Sequence, residues 1–217
     1  MAGGRGERLI THMGPNLAAA LRLMLVTDDD LVDAARVVDA CADGVRGGAT
    51  IVQLRLKRLP AREVAGVARM LVERLPVPVI VNDRPDVALA AGAAGVHLGP
   101  EDLAPALARR VLGPGAIIGA SVGSAEEAAR GADADYWGVG PFRVTSTKPD
   151  AGEALGPDGV RRLVRLAGGR PCIAIGGVLP ADHGAIREAG CVGVAVASGI
   201  LGQGNVEQAA RRYRDGH

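Results

Sequence analysis

The sequence predicts a single-domain α/β protein, a (β/α)8 TIM barrel, and two observations support this prediction. Short β-type runs alternate eight times with longer amphipathic stretches rich in Ala, Arg and Glu. Several runs are continuously apolar, such as residues 77–81 and Cys172–Ile175, which is typical of parallel strands buried on both faces. Eight βα units in about 200 residues leave little room for a second domain.

The elements follow one another at regular spacing. Strands are predicted at residues 21–27, 50–54, 77–82, 95–98, 116–120, 136–140, 171–175 and 192–197, with helices beginning near residues 31, 61, 85, 102, 124, 156, 181 and 205. The barrel is expected to span residues 21–217, and residues 1–20 to form a mobile N-terminal tail without the apolar core of a secretory signal. An open doubly wound sheet is the alternative, but it usually has a Gly-rich loop after strand 1. This chain has Asp28, Asp29 and Asp30 there.

Composition excludes several classes of partner. The formal net charge is +1 and aromatic residues make up 2% of the chain, so neither a nucleic acid nor a membrane is expected as a partner. Cys41, Cys172 and Cys191 are widely spaced and form no CxxC, which favours free thiols in a reducing compartment, the cytoplasm. The sequence leaves a homodimer open.

Only two of the 25 basic residues are lysines, Lys57 and Lys148. In a chain that otherwise uses Arg, each retained Lys indicates a position that requires a compact ammonium group. Both lie in segments rich in other anion-binding groups, because Lys57 follows Gln53 and Arg55, and Lys148 follows Thr147.

Active sites of TIM barrels lie at the C-terminal ends of the strands, and polar residues collect at these positions. Gln53, Arg55 and Lys57 alternate, so they are predicted to face one side and to form a cradle for a multiply charged anion. The alternative is that Arg55 and Lys57 only form salt bridges with Asp83 and Asp102.

Two carboxylates follow adjacent predicted strands. Asp83 and Asp102, among cations and phosphates, would suit Mg²⁺, which binds one or two carboxylates together with phosphate oxygens and water. Asp102 could instead cap a helix, and Asp83 could pair with Arg84.

Small residues follow the last two strands, which is the usual phosphate position of this barrel. These are Gly176 and Gly177, and then Ala197, Ser198 and Gly199. The loop at residues 145–148 could contact a second ligand, or it could be an ordinary surface turn. His97 and Trp137 are more typical of buried structural residues than of catalysts, although Trp137 could stack on an aromatic ligand.

These residues therefore predict two anion sites in one pocket. One is a metal-assisted diphosphate site near strands 2–4, and the other is a monophosphate site near strands 7–8. With these features, the chain resembles the thiamine phosphate synthase family. The resemblance lies in the segments 48–57 (GATIVQLRLK), 81–86 (VNDRPD), 95–103 (GVHLGPEDL), 118–124 (IGASVGS), 138–141 (GVGP), 145–148 (TSTK) and 174–178 (AIGGV).

The resemblance implies an Mg²⁺-dependent transferase that joins 4-amino-2-methylpyrimidine-5-ylmethyl diphosphate to a thiazole phosphate, or its 2-carboxy form, by a dissociative mechanism. It implies a role for each candidate residue. The pyrimidine diphosphate would be held by Gln53, Arg55, Lys57, Asn82, Ser121 and Lys148, with Arg55, Lys57, Ser121 and Lys148 as catalytic residues. Asp83 and Asp102 would hold Mg²⁺. The thiazole phosphate would contact Thr145, Ser146, Thr147, Gly177, Ala197 and Ser198.

The chain departs from the family pattern in two segments. Leu56 replaces the usual Glu but alternates away from the ligand face, and Phe142, Arg143 and Val144 precede Thr145 where the family has an aromatic residue and Pro or Ala. Arg143 could add charge to the pocket or reach solvent. Two alternatives stay open, a thiazole tautomerase-like isomerase and a non-catalytic, regulatory ligand-binding barrel.

Overall fold

A computed structural model describes residues 17–144 and 152–216. Eight strands form a closed parallel barrel in sequence order, which confirms the predicted fold class. The strands are β1 (Leu23–Val26), β2 (Ile51–Leu54), β3 (Val79–Asn82), β4 (Gly95–Leu98), β5 (Ile117–Val122), β6 (Tyr136–Val139), β7 (Cys172–Ile175) and β8 (Gly193–Val196). The ring closes where β1 pairs with β8, with Leu23 opposite Val194.

Helices cover the outside of the barrel. They are α1 (Leu17–Ala20), α2 (Val37–Gly47), α3 (Ala61–Arg74), α4 (Pro85–Ala91), α5 (Pro105–Leu112), α6 (Ala125–Arg130), α7 (Gly156–Leu166), α8 (His183–Glu188), α9 (Ser198–Leu201) and α10 (Val206–Asp215), with a 3₁₀ turn at Pro180–Asp182. Among the described residues, no helix is both long enough and apolar enough to cross a membrane.

Local sequence sets several helix starts. The Ser124 hydroxyl accepts a hydrogen bond from the Glu127 N–H at 3.2 Å at the start of α6, and the Asn205 side chain accepts from Gln208 N–H at 2.9 Å at the start of α10. These contacts satisfy amide groups that have no partner inside the helix. Pro occupies the first turn of α4 and α5, where its missing N–H costs nothing.

The core has two layers. Strand side chains that point outward pack against the helices, while Met24, Ile51, Ile80, Ile117 and Tyr136 belong to a separate cluster inside the barrel. Because side chains alternate along a strand, Gln53, Asn82 and Ser121 continue the inner rows of Ile51, Ile80 and Ile117. They reach the C-terminal mouth of the barrel, where the site lies.

The start of the barrel differs from the prediction. Leu17–Ala20 were assigned to the tail, but they form α1, Leu17 packs on the inner cluster, and the Ala20 carbonyl accepts a hydrogen bond from the Thr50 hydroxyl at 2.7 Å. Residues 1–16 lie outside the described residues, so a tail there stays a prediction. α2 begins at Val37, not near residue 31, because the chain turns back on Asp28 and Asp33 through backbone hydrogen bonds.

Candidate active site

A cavity of about 500 Å³ opens at the C-terminal ends of the strands. Most of the predicted site residues line it, and they come from both halves of the barrel: Gln53, Arg55, Lys57, Asn82, Asp83, Asp102, Ser121, Gly177, Ala197 and Ser198. Thr145, Ser146, Thr147 and Lys148 lie outside the described residues. The two predicted anion sites therefore share one cavity as far as the structure describes them.

The first βα loop holds the segment after β2. Arg55 N–H donates to the Thr27 hydroxyl at 2.8 Å, and that hydroxyl donates to the Arg55 carbonyl at 3.1 Å. The Arg55 guanidinium pairs with Asp28, whose side chain is almost buried. A buried charge is tolerated when it is paired, so Asp28 fixes where Arg55 points.

Asp29 and Asp30 also serve this segment. The Asp29 carboxylate accepts the Lys57 N–H at 2.7 Å, and Asp30 pairs with Arg58 at 2.6 Å. Three successive acids would repel a phosphate, but hydrogen bonds and ion pairs with the β2 segment occupy each of them. The segment keeps its shape while the Lys57 ammonium, on a side chain that is 51% exposed, stays at the cavity.

Asp83 has an unusual backbone. Its φ is +63°, and it is the only described non-glycine residue with positive φ. The Asp83 N–H donates to the His97 carbonyl at 2.8 Å, and the Arg84 N–H donates to the Asn82 carbonyl at 2.8 Å, which closes a three-residue turn around Asp83. Such strain persists only where neighbouring contacts impose it, and it is concentrated at functional sites.

Asp83 and Asp102 face each other across the ends of β3 and β4. Burial raises the pKa of the Asp102 carboxyl, its interaction with Asp83 raises it further, and the Gly99 N–H and Lys57 oppose the shift. Lys57 Nζ lies 3.1 Å from Asp83 Oδ2, so one half of the predicted salt-bridge alternative is present. Two adjacent carboxylates repel each other unless a proton or cation lies between them.

These two carboxylates fit a divalent cation of the Mg²⁺ type. No group of three or more His, Cys, Asp or Glu side chains in the described ranges could hold a metal, so an all-protein cage is not available there. Mg²⁺ normally uses one or two carboxylates and completes its shell with water and phosphate oxygens. The helix-cap alternative for Asp102 is wrong, since α5 begins at Pro105 and Asp102 Oδ2 accepts the Gly99 N–H at 2.6 Å.

A buried hydrogen-bond chain reaches the cavity from below. Ser121 Oγ lies 3.0 Å from His97 Nε2, and His97 Nδ1 lies 2.8 Å from the Tyr136 hydroxyl. Burial raises the pKa of Tyr136 well above its usual range, Asp135 adds to this, and a hydrogen bond with Gln53 opposes it. Gln53 and Ser121, both predicted ligand contacts, are thus linked through His97 and Tyr136, neither of which was predicted as a site residue.

The chain of hydrogen bonds ends at the cavity. Gln53, His97 and Ser121 all line the cavity, and Tyr136 joins them from inside the barrel. These contacts fix the position of the Ser121 hydroxyl at the cavity wall. A single His in an apolar strand gives no signal for such a chain, because its partners come from other strands.

The opposite wall is made of backbone. Gly177 has a φ of +64°, and a Cβ there would lie 2.8 Å from Arg143 Cβ, so both conformation and space require glycine. Ala197 and Ser198 stand at the start of the short helix α9. Backbone N–H groups in such turns suit the oxygens of a phosphate.

The structure also places Trp137, Arg143 and Leu56. Trp137 is buried among the outer core residues and donates from Nε1 to the Gly131 carbonyl at 2.8 Å, so it does not stack on a ligand. Arg143 pairs with Asp182 and lies over the Phe142 ring, 5.3 Å from its centroid. Leu56 is buried in the outer core, away from the cavity.

Together, these features define a TIM-barrel protein whose cavity combines cationic side chains, a pair of carboxylates and a wall of backbone amide groups. The chain belongs to the thiamine monophosphate synthase family, whose model matches residues 23–200. The thiamine-phosphate synthase of Azorhizobium caulinodans is 45% identical over 199 residues, covering 89% of this chain and 93% of that protein. That of Xanthobacter autotrophicus is 48% identical, with 89% and 94% covered.

A solved structure is also similar. The thiamine phosphate pyrophosphorylase of Pyrococcus furiosus superposes with a TM-score of 0.82 at 34% identity, covering 93% of this chain and 97% of that chain. The predicted family resemblance is therefore confirmed over nearly the whole barrel.

Proposed function

We propose that this protein is a thiamine-phosphate synthase. It transfers the pyrimidinylmethyl group of 4-amino-2-methylpyrimidine-5-ylmethyl diphosphate to the nitrogen of a thiazole phosphate and releases diphosphate. The observation that carries the proposal is the cavity itself, which joins Arg55, Lys57 and the Asp83–Asp102 pair on one wall to the Gly177 turn on the other. A family relationship that covers nearly the whole barrel supports it.

The chain's own residues act mainly on charge and position. Arg55 and Lys57 neutralise the negative charge that develops on the departing diphosphate, and Lys148 is proposed from the sequence to do the same. When the C–O bond breaks, the electron pair leaves with the diphosphate, and the thiazole nitrogen then supplies the pair for the new C–N bond. Asn82, Gln53 and Ser121 hold the pyrimidine so that its methylene carbon faces that nitrogen.

Asp83 and Asp102 would hold Mg²⁺. The ion would supply positive charge to the diphosphate oxygens. Without it, the two carboxylates would oppose the anion that Arg55 and Lys57 attract. A bound Mg²⁺ would thus explain why carboxylates and cationic side chains lie on the same wall of the cavity.

The thiazole phosphate would bind at the opposite wall. The proposed contacts are Gly177, Ala197 and Ser198, with Thr145, Ser146 and Thr147 assigned from the sequence. The same proposal covers the 2-carboxy thiazole phosphate as the acceptor, in which case CO₂ is a further product. We also propose a cytoplasmic location, which three free and buried cysteines support, and we keep a homodimer as a prediction.

The decisive experiment measures diphosphate release with both substrates and Mg²⁺, with each substrate omitted in turn and with EDTA as a control. Release that requires both substrates and the metal is expected. Isomerisation of the thiazole phosphate without diphosphate release would instead identify a tautomerase-like isomerase. Binding without turnover would identify a regulatory barrel.

A further inference from the structure

An ion pair outside the cavity braces its phosphate wall. Arg143, just after β6, pairs with Asp182 in the 3₁₀ turn after β7. The Asp182 side chain is almost buried, at 9% exposure, whereas that of Arg143 is 46% exposed. Neither residue is among the described residues that line the cavity, so the pair can influence a ligand only through what it holds.

The two residues hold the turn from Gly176 to Leu179, Arg143 through its backbone and Asp182 through its carboxylate. The Arg143 N–H donates to the Gly176 carbonyl at 2.9 Å, and Asp182 Oδ2 accepts the Leu179 N–H at 2.8 Å. A third tether comes from the Tyr213 hydroxyl, which donates to the Val178 carbonyl at 2.9 Å. The turn is therefore fixed from outside at Gly176, Val178 and Leu179.

The braced turn has its amide groups available. Gly177 lies between the tethered residues, and its N–H donates to no atom of the described part of the chain. Gly177 also packs directly on Arg143, since a Cβ at Gly177 would lie 2.8 Å from Arg143 Cβ and 3.1 Å from the Val144 carbonyl oxygen. Any shift of Arg143 would move the surface against which Gly177 rests.

The charge of the pair is maintained near neutral pH. Burial acts to raise the pKa of Asp182, but hydrogen bonds from Arg143 and from the Leu179 N–H outweigh it and keep the pKa below its usual range. The carboxylate accepts both hydrogen bonds with the same oxygen. Loss of either partner changes the geometry of the other.

We infer that Arg143 and Asp182 are positioning residues for the phosphate group of the acceptor substrate: their ion pair fixes the Gly176–Gly177 turn that binds it. This inference rests on the proposed function and assigns a role to Arg143, which lies in a segment that departs from the family pattern. The ligand chemistry is a phosphate monoester, because the turn offers backbone N–H donors, which suit phosphate oxygens.

The test compares 4-methyl-5-(2-phosphoethyl)thiazole with the corresponding alcohol, by calorimetric binding and as competitors of turnover. In Arg143→Gln, we expect affinity for the phosphate compound to fall about threefold to tenfold, as for the loss of a partly exposed charged hydrogen bond. Affinity for the alcohol and the KM for the pyrimidine diphosphate should change less than about twofold. Arg143→Lys should restore most of the phosphate preference.

Asp182→Asn distinguishes positioning from direct contact. The Asn side chain keeps an acceptor for the Leu179 N–H but loses the charge, so the positioning role predicts weaker phosphate binding and no further loss in the double variant. If Arg143 instead bound the phosphate itself, freeing it from Asp182 would tighten binding, and the inference would be overturned.

Arg74→Gln is the control, because it removes an Arg whose exposure, 54%, is close to that of Arg143 and which pairs across two elements with Asp39 at 2.6 Å. Neither Arg74 nor Asp39 lines the cavity. It should leave the ratio of phosphate to alcohol affinity unchanged. If the wild-type protein is active and Arg143→Gln has the same ratio of phosphate to alcohol affinity, the positioning role is overturned and the proposed function stands. A wild-type protein that does not distinguish phosphate from alcohol would overturn both.

Discussion

At the residue scale, Asp83 combines a strained backbone with a proposed metal ligand, and the two properties can be separated. Asn tolerates the left-handed region, whereas Ala there costs about 1 kcal/mol or more. We expect Asp83→Asn and Asp83→Ala both to weaken the apparent affinity for Mg²⁺ at least about tenfold. Asp83→Ala should also lower the free energy of unfolding by about 1 kcal/mol relative to Asp83→Asn.

Mg²⁺ titration of diphosphate release and urea unfolding measure these two effects independently. Asp86→Asn is the control, because Asp86 is a nearby acid that pairs with Arg84 on the surface at 2.6 Å. A wild-type Mg²⁺ requirement in Asp83→Asn would remove Asp83 from the metal site.

The hydrogen bonds that link Gln53, Tyr136, His97 and Ser121 give a second prediction at this scale. Tyr136→Phe removes the partner of His97 Nδ1 inside the barrel, and an unsatisfied buried group costs about 1–3 kcal/mol of stability. Ser121 then loses its fixed orientation, and we expect kcat/KM to fall about tenfold, corresponding to about 1.4 kcal/mol.

A double-variant cycle with Ser121→Ala identifies the route of this effect. If Tyr136 acts through Ser121, Tyr136→Phe should reduce activity much less in the Ser121→Ala background. Independent, additive losses would show that the two side chains serve separate purposes.

At the scale of the elements, the strands were predictable and their contacts were not. All eight strands lie within two residues of the predicted bounds, because apolar runs flanked by turn residues determine them. The start of α2 was wrong by six residues, since tertiary contacts of the first βα loop override its helical pattern. The pairing of Arg55 with Asp28 and the brace between Arg143 and Asp182 join residues far apart in sequence, so no local pattern predicts them.

The packing of β5 against β6 gives a prediction about stability. A Cβ at Gly119 on β5 would lie 2.2 Å from Cζ of Tyr136 on β6, inside a well-packed barrel. Gly119→Ala should therefore destabilise the protein by about 1–3 kcal/mol and displace Tyr136 from His97. Activity should fall with stability.

Gly66→Ala is the matched control for this substitution. Gly66 lies within α3, and a Cβ there would meet nothing within 4 Å. Ala is the better helix former, so this variant should gain up to about 1 kcal/mol. Urea unfolding of both variants measures the contrast, and a stable Gly119→Ala protein would mean that the two strands separate more easily than their packing indicates.

At the scale of the whole molecule, three buried thiols report on opening of the fold. Burial raises the pKa of Cys41 and of Cys191 to about 12, with Cys172 adding to the shift of Cys191. Burial also raises the pKa of Cys172 to about 11, against a smaller opposing effect of Arg170. Alkylation requires the thiolate, so these thiols should be inert at pH 8 in the folded protein.

Mass spectrometry after iodoacetamide treatment tests this at each cysteine. We expect labelling of the native protein to be much slower than the complete labelling of all three thiols in urea. Cys41 lies on α2, while Cys172 and Cys191 belong to the β7–β8 region on which the phosphate wall stands. Equal slow labelling rates would mean that the barrel opens as one unit, and bound substrate should then slow all three by the factor 1 + [L]/Kd. Faster labelling of Cys172 and Cys191 would show that the phosphate side opens separately from the rest of the barrel.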